Sequence, residues 1–287
     1  MKNTTHQGRV IKKYDPFFYA YIKVYKEAKY MLLAIHNGQK KRAEEAGSAQ
    51  LGTCPWTNLP VKAHVGLIRQ YWAYHGEKPN FPNGYESESE WHITWKETIK
   101  DEYCEVIFGV NNEHRADILG SNNTVIEIQR SIIDIRDSRE RVRFYKEATN
   151  KRVIWIVDIQ EFWNKRFFLE KSKEQGIFKV KWKPKRTWLW DLASTPETNL
   201  YLEFNQSNNK LLHVWIHQGM MCAKYFKKSD FFESYMKDVA KDEYRNNPEQ
   251  AVQVLLGNGG TSILIIDKIL QFNNKIGLGH LMNILLK

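Results

Sequence analysis

The chain has 287 residues, enough for one or two domains, and is 42% hydrophobic, 26% charged and 13% aromatic, an ordinary make-up for a soluble protein. No apolar run approaches the roughly 20 residues of a membrane-spanning helix, and three widely spaced cysteines (Cys54, Cys104, Cys222) argue against a disulfide framework and for a reducing, cytoplasmic setting. The net charge of +10 concentrates between Arg136 and Arg186, where 16 Lys/Arg stand against 7 Asp/Glu; such a stretch suits either a polyanion or a solvated basic face.

The opening residues, MKNTTHQGRVIKKYDPFF, carry charge but no apolar h-region, so a secretory signal is not expected. From Asp15 to about Asn37 the run FFYAYIKVYKEAKYMLLAI is expected to form a helix with one broad apolar face. A polar segment follows, then the aromatic piece TCPWTNLPVKAHVGLIRQYWAYHG. The turn-rich stretch EKPNFPNGYESES marks a boundary.

Beyond it the pattern becomes regular. Ser87 or Ser89 can cap a helix reaching about Lys100, with Trp91, Trp95 and Ile99 on one face. Three strand-like runs follow, at 104–110, 114–120 and 124–129, separated by turn residues. A charged helix over about 135–149 precedes RVIWIVD (152–158), whose unbroken apolar character suits a strand covered on both faces. FFLE, FKVKW and TWLWDL are expected as strands, and NLYLEF (199–204) with KLLHVWIH (210–217) as a hairpin. SDFFESYMKDVAKDEY and TSILIIDKILQF are expected as helices, and the apolar run HLMNILL ends the sequence. The expected division is an N-terminal helical and aromatic region (1–82), an α/β core (83–218) and a C-terminal helical region (219–287).

The chemistry concentrates in two strands. Alternation puts Glu127 and Gln129 on one face of TVIEIQ, and a hairpin partner carries Asp117 in RADIL. An acid flanked by isoleucines is costly unless its charge is compensated, and a divalent metal would compensate it. Such an ion lowers the pKa of a bound water and neutralises charge on a phosphate. Ordinary ion pairs satisfy the same pattern, Asp117 with Arg115 or Arg130 and Glu127 with a nearby base.

Five blocks extend the pattern: ESEWHITWK (88–96), HRADIL (114–119), VIEIQRSI (125–132), RERVRFY (139–145) and VIWIVD (153–158). In order and spacing they resemble the competence protein CoiA-like family, whose nuclease region belongs to the PD-(D/E)xK superfamily. The resemblance covers about residues 84–158. It implies an α/β, restriction-endonuclease-like core, a central mixed sheet flanked by helices, with helical additions at both ends. It further implies a nuclease dependent on Mg²⁺ or Mn²⁺, with Asp117, Glu127 and Gln129 catalytic and Glu88, Asp117 and Glu127 as metal ligands. Gln129 would replace the lysine common in the superfamily. His92 and Lys96 would face phosphate, and Arg141 and Tyr145 would meet nucleic acid or the edge of the site; structural roles on helix surfaces suit all four equally well.

The implied substrate is DNA, in uptake, recombination or defence. An RNA-directed nuclease and a non-catalytic nucleic-acid-binding module are the alternatives, the second because Gln129 is neutral. The C-terminal helices suit a partner surface, for a second copy or another protein, or a simple cap. CoiA-like proteins often carry a zinc-ribbon-like piece; here Cys54, His64 and His75 supply three ligands at most, so no structural zinc is expected and Trp56, Trp72 and Tyr74 should hold the piece by packing. The glycine-rich LLGNGGTS (255–262) lacks a P-loop lysine and suits a plain turn. The tryptophans of WKPKRTWLW (182–190) suit a core more than a base-stacking surface.

Overall fold

A computed structural model describes residues 30–66, 70–76, 89–130, 132–182 and 187–257. Their strands form two sheets. The larger has nine strands: β7 (Cys104–Phe108), β8 (His114–Gly120), β9 (Thr124–Gln129), β10 (Arg152–Asp158), β11 (Phe167–Lys171), β12 (Phe178–Trp182), β13 (Thr198–Glu203), β14 (Leu211–His217) and β15 (Met220–Phe226). Across the sheet they run β11-β12-β15-β14-β13-β10-β9-β8-β7. β10 lies parallel to both β9 and β13, while the outer pairs are antiparallel, so the sheet is mixed.

Helices cover both faces because the central strands are apolar on both. On one side, Trp91 and Trp95 of α2 (Glu90–Glu97), Phe231 and Phe232 of α5 (Lys228–Tyr235) and Leu255 of α7 (Pro248–Leu255) pack on Ile126, Ile128, Ile154 and Ile156. On the other, Val142 and Tyr145 of α3 (Ile135–Thr149) and Leu189 and Leu192 of α4 (Thr187–Ser194) pack on Val125, Val153, Trp155 and Val157. Each such fully buried aliphatic side chain is worth roughly 1.5–3 kcal/mol. The α/β core with a central mixed sheet flanked by helices is therefore as expected.

Several elements differ from expectation. The described end of the expected N-terminal helix is strand, β1 (Tyr30–Met31) and β2 (Leu33–His36). With β3 (Gln39–Arg42), β4 (Leu51–Thr53), β5 (Pro60–Val65) and β6 (Gln70–Tyr74) they form a six-stranded sheet. In its described part the N-terminal addition is thus a β-unit, with only the four-residue α1 (Ala43–Ala46) as α-helix. Its core gathers Met31, Ala34, Cys54, Val61 and Trp72, with Trp56 and Tyr74 against them, and the Cys54 thiol accepts the Tyr74 hydroxyl at 3.2 Å.

TWLWDL is helix α4, because Trp188, Leu189 and Leu192 share one face at helical spacing. Trp188 is core, and its indole is buried. SDFFESYMKDVAKDEY divides into α5, a 3-10 turn at Lys237–Val239 and the short α6 (Asp242–Asn246). TSILIIDKILQF, HLMNILL and most of LLGNGGTS lie outside the described residues. No helix among the described residues is long and apolar enough to cross a membrane.

The N-terminal sheet docks beside α2. Arg42, nearly buried, pairs with Glu97 at 2.8 Å and Asp101 at 2.9 Å, and Trp56 donates to the Asn112 carbonyl. Lys40 donates to the carbonyls of Cys104 and Glu105, fixing the start of β7.

Candidate acid site where two strands part

β8 and β9 form a hairpin around Asn122 and Asn123, both left-handed (φ 54 and 57), a conformation asparagine tolerates. Their ladder pairs Gly120 with Thr124, Leu119 with Val125 and Ile118 with Ile126, and ends there. The next position in register sets Asp117 opposite Glu127. On its other side β8 pairs Ile118 with Cys104 and Ala116 with Val106, so Glu105 lies across from Asp117. Glu105 has φ +50, a left-handed conformation disfavoured for a non-glycine residue, and its side chain is buried. Ala116 packs in the α3-side core and Ile118 in the α2-side core, although residues two apart in a regular strand share a face. β8 therefore turns about its axis at Asp117.

Side chains take over the hydrogen bonds the ladder leaves. The amide of Ile128 donates to Asp117 Oδ2 at 2.9 Å, and His92 Nε2 lies 2.8 Å from the Ile128 carbonyl. His92 belongs to the first turn of α2. Ser89, the N-cap, accepts the His92 amide through its hydroxyl and lies 2.9 Å from Nδ1. Burial holds the imidazole down at about 4, so it is neutral at physiological pH. With Nε2 donating to the carbonyl, Nδ1 accepts from Ser89.

A row of acids thus runs across β7, β8 and β9: Glu105, Asp117, Glu127. Each meets a cation. Lys96 Nζ, fully buried, stands 3.0 Å from Asp117 and 3.7 Å from Glu105. Arg115 Nη1 lies 3.2 Å from Glu105. Arg141 Nη1 donates to Glu127 Oε2 at 2.8 Å, and the buried Tyr145 hydroxyl donates to Oε1 at 3.0 Å. The Asp117 side chain is 16% exposed, against 2% for Glu127.

The two facing acids are driven apart in acidity. Burial pushes Asp117 up, but Lys96 and His92 with the Ile128 amide outweigh it and hold the carboxyl at about 2. Burial lifts Glu127 to about 7, and the Asp117 charge adds to the rise against the pull of Arg141 and Tyr145. Asp117 is thus the more acidic of the two and Glu127 the more readily protonated.

The ordinary ion-pair alternative is met in part, but by other partners. Asp117 pairs with Lys96 and not with Arg130, which lies against Asp158 at 3.4 Å; Glu127 takes Arg141 from α3. Lys96 and His92, expected to face phosphate, are instead turned inward onto Asp117 and the Ile128 carbonyl, because α2 buries this face against the sheet. Tyr145 is likewise buried on Glu127, whereas Arg141 reaches the site's edge at 19% exposure. Gln129 is nearly buried at the end of β9. Glu88 lies outside the described residues. Glu105 escaped the sequence reading, although CEVIF, an acid within an apolar strand, is the same signal that marked Glu127.

Among the described residues no three His, Cys, Asp or Glu side chains gather as a ready metal cluster. Two carboxylates with waters are nevertheless a common Mg²⁺ donor set. A carboxylate oxygen carries two lone pairs, so the hydrogen bonds on Asp117 and Glu127 leave acceptor capacity. The residues fit a hard cation in donor type, and it would share Asp117 with Lys96 and Glu127 with Arg141.

Residues 90–211 match the family model described as competence protein CoiA, nuclease-like domain. That segment carries Lys96, Glu105, Asp117, Glu127, Gln129, Arg141 and Tyr145. No curated protein and no solved structure matches the chain.

Proposed function

We propose that the CoiA nuclease-like domain of this chain is a metal-dependent nuclease of the PD-(D/E)xK kind that hydrolyses phosphodiester bonds, with DNA as its substrate. The observation that carries this reading is the facing pair Asp117 and Glu127, two carboxylates brought together where β8 leaves β9, one against Lys96 and the other against Arg141. Two carboxylates crowded at one strand gap suit a shared hard cation, which would hold both in the ionised form. In the net reaction a water oxygen joins phosphorus, the bond from phosphorus to the leaving oxygen breaks, and that oxygen gains a proton.

Asp117 and Glu127 would hold Mg²⁺ or Mn²⁺, with Glu88 as a third ligand. The ion supplies neutralisation of the phosphate and acidification of water when bound. The chain's own residues do the rest. Asp117 is fixed by the Ile128 amide and Lys96, so its carboxylate stays oriented without substrate. Arg141 and Tyr145 grip both oxygens of Glu127, fixing the plane of its carboxyl group. Gln129 is neutral and can orient a water by hydrogen bonding, but it adds no positive charge. Lys96, buried 3.0 Å from Asp117, places an amine in the site where Gln129 offers only an amide. Strand handling in DNA uptake, recombination or defence is the setting that fits such a domain.

A second reading, a nucleic-acid-binding module without catalysis, is favoured by one observation: three internal cations already answer the three acids. An RNA substrate is the remaining variant. The deciding experiment incubates the chain with single- and double-stranded DNA and RNA in Mg²⁺, Mn²⁺ or chelator, beside Asp117→Asn and Glu127→Gln. Cleavage that needs metal and both acids supports the nuclease. Binding that survives without cleavage in any condition supports the module.

A further inference from the structure

The outward face of α3 carries charge that the acid site does not use. Arg141 and Tyr145 point inward to Glu127, while Arg139, Arg143 and Lys146 are exposed along the flank of the helix that borders Ser194–Pro196. Two concavities of about 390 and 380 Å³ lie along this face and share Lys146. Arg139 and Arg143 line the second, between α3 and the turn at Ser194–Pro196. Lys151 and Arg152 line the first, beside Asn122, Asn123 and Asn150.

The acids in these walls are Glu147 and Glu197, against five basic side chains. Glu197 is engaged by Lys146 in a half-exposed pair of the kind worth little. Arg139, Arg143 and Arg152 make no ion pair with a described residue. Lys151 donates one hydrogen bond, to Asn123 at 2.6 Å, and an ammonium has three donors. From Arg139 to Lys146 the helix advances about 10 Å, a length over which duplex DNA passes about three nucleotides of one strand.

We infer that this face is a track for a nucleic-acid backbone, in which Arg139, Arg143, Lys146, Lys151 and Arg152 contact successive phosphates and lead the strand along the helix whose inner side holds Glu127. The inference rests on the nuclease reading for its partner and deepens it by naming the surface. Phosphate contacts position a strand without reading its sequence, and the face offers charge and amide donors rather than an aromatic platform. Asn122 and Asn123, whose side-chain amides donate to the backbone carbonyls of Ser234 and Asn150 respectively, carry the wall past the end of α3 toward the β8–β9 turn.

The test is fluorescence anisotropy with labelled single-stranded DNA, duplex DNA and RNA, using the full chain in chelator over about 50 to 200 mM salt. The variants are the triple Arg139→Gln, Arg143→Gln, Arg152→Gln and, as a control from β12 and β15, the double Lys179→Gln, Lys224→Gln. All five positions are exposed, and circular dichroism checks the fold. The triple should lose about tenfold or more in affinity for every sequence, and its slope of log affinity against log salt should shrink by about 2 to 3. The control should change neither.

An unaltered slope in the triple, an equal loss in the control, or no binding by the unaltered chain at low salt overturns the inference. So does preferential capture of an acidic polypeptide. Cleavage measured in parallel separates the two readings: binding with this slope but no hydrolysis removes the nuclease alone, and hydrolysis indifferent to the triple removes the track alone.

Discussion

Two buried charge clusters flank the same helix, and they differ in kind. On one side of α2, Glu203 at the end of β13 receives Trp91 Nε1 at 2.6 Å and Trp95 Nε1 at 2.9 Å on one oxygen, and Lys228 on the other. Lys228 spends its remaining donors on the carbonyls of Gln206 at 2.8 Å and Leu255 at 3.0 Å. One acid, one base and complete hydrogen bonding tie α2, β13, α5 and α7 together. On the other side, Asp117 and Glu127 face each other on strands that part, and one of them sits near 7. A closed pair specifies the fold; a crowded pair of acids leaves charge for something else to answer.

Breaking the closed cluster should cost the most. Glu203→Ala or Lys228→Met leaves a buried charge without its partner and should lower unfolding free energy by about 3–5 kcal/mol, read by urea denaturation. The double Glu203→Leu, Lys228→Met removes both charges and should lose less than either single variant. Equal losses would place the stabilisation in packing instead.

Glu127→Gln should behave oppositely. It keeps a hydrogen-bonding group for Arg141 and Tyr145, so stability should change by only about 1 kcal/mol. Hydrolysis should fall about 10²–10³-fold, measured as initial cleavage rate. A stability loss as large as that of Glu203→Ala would make the two clusters alike.

The smallest effect lies at the rim of the closed side. His213 stacks on Tyr201 and faces Trp215 and, across the ladder, Lys224. Burial, with Lys224 adding, lowers its imidazole from 6.5 to about 4. Its neutral form is the folded form, so its contribution is full above 6.5 and is lost as pH falls toward 4. His213→Phe keeps the stack and should remove on the order of 1 kcal/mol of that acid sensitivity after solvent screening, seen in melting temperatures across this window.

The sequence showed the open cluster better than the closed one. Alternation in TVIEIQ and the short hairpin loop placed Asp117 on the strand beside Glu127, because side-chain period is a local property. The register that faces them is seen only in the ladder. A cap at Ser87 or Ser89 and the extent of α3 were likewise local and legible, and the structure takes Ser89. Lys96 was placed on the right helix with the wrong partner: its position beside Trp95 does not reveal that α2 lies flat on the sheet. Glu203 and Lys228 meet across 25 residues of chain, and no spacing rule reports that. In the N-terminal unit, a run that suits a helix with one broad apolar face is strand over its described end; pairing with strands far along the chain, such as Tyr30 with Ala73, decides it.

Manganese binding probes the open cluster most directly. Titration calorimetry near pH 8, where Glu127 is ionised, should show Mn²⁺ bound by the unaltered chain, with affinity reduced at least tenfold in Asp117→Asn and in Glu127→Gln, each variant remaining folded. Binding that is absent in the unaltered chain, or undiminished in both variants, would mean that Lys96 and Arg141 alone answer these acids and that the site does not capture a divalent ion.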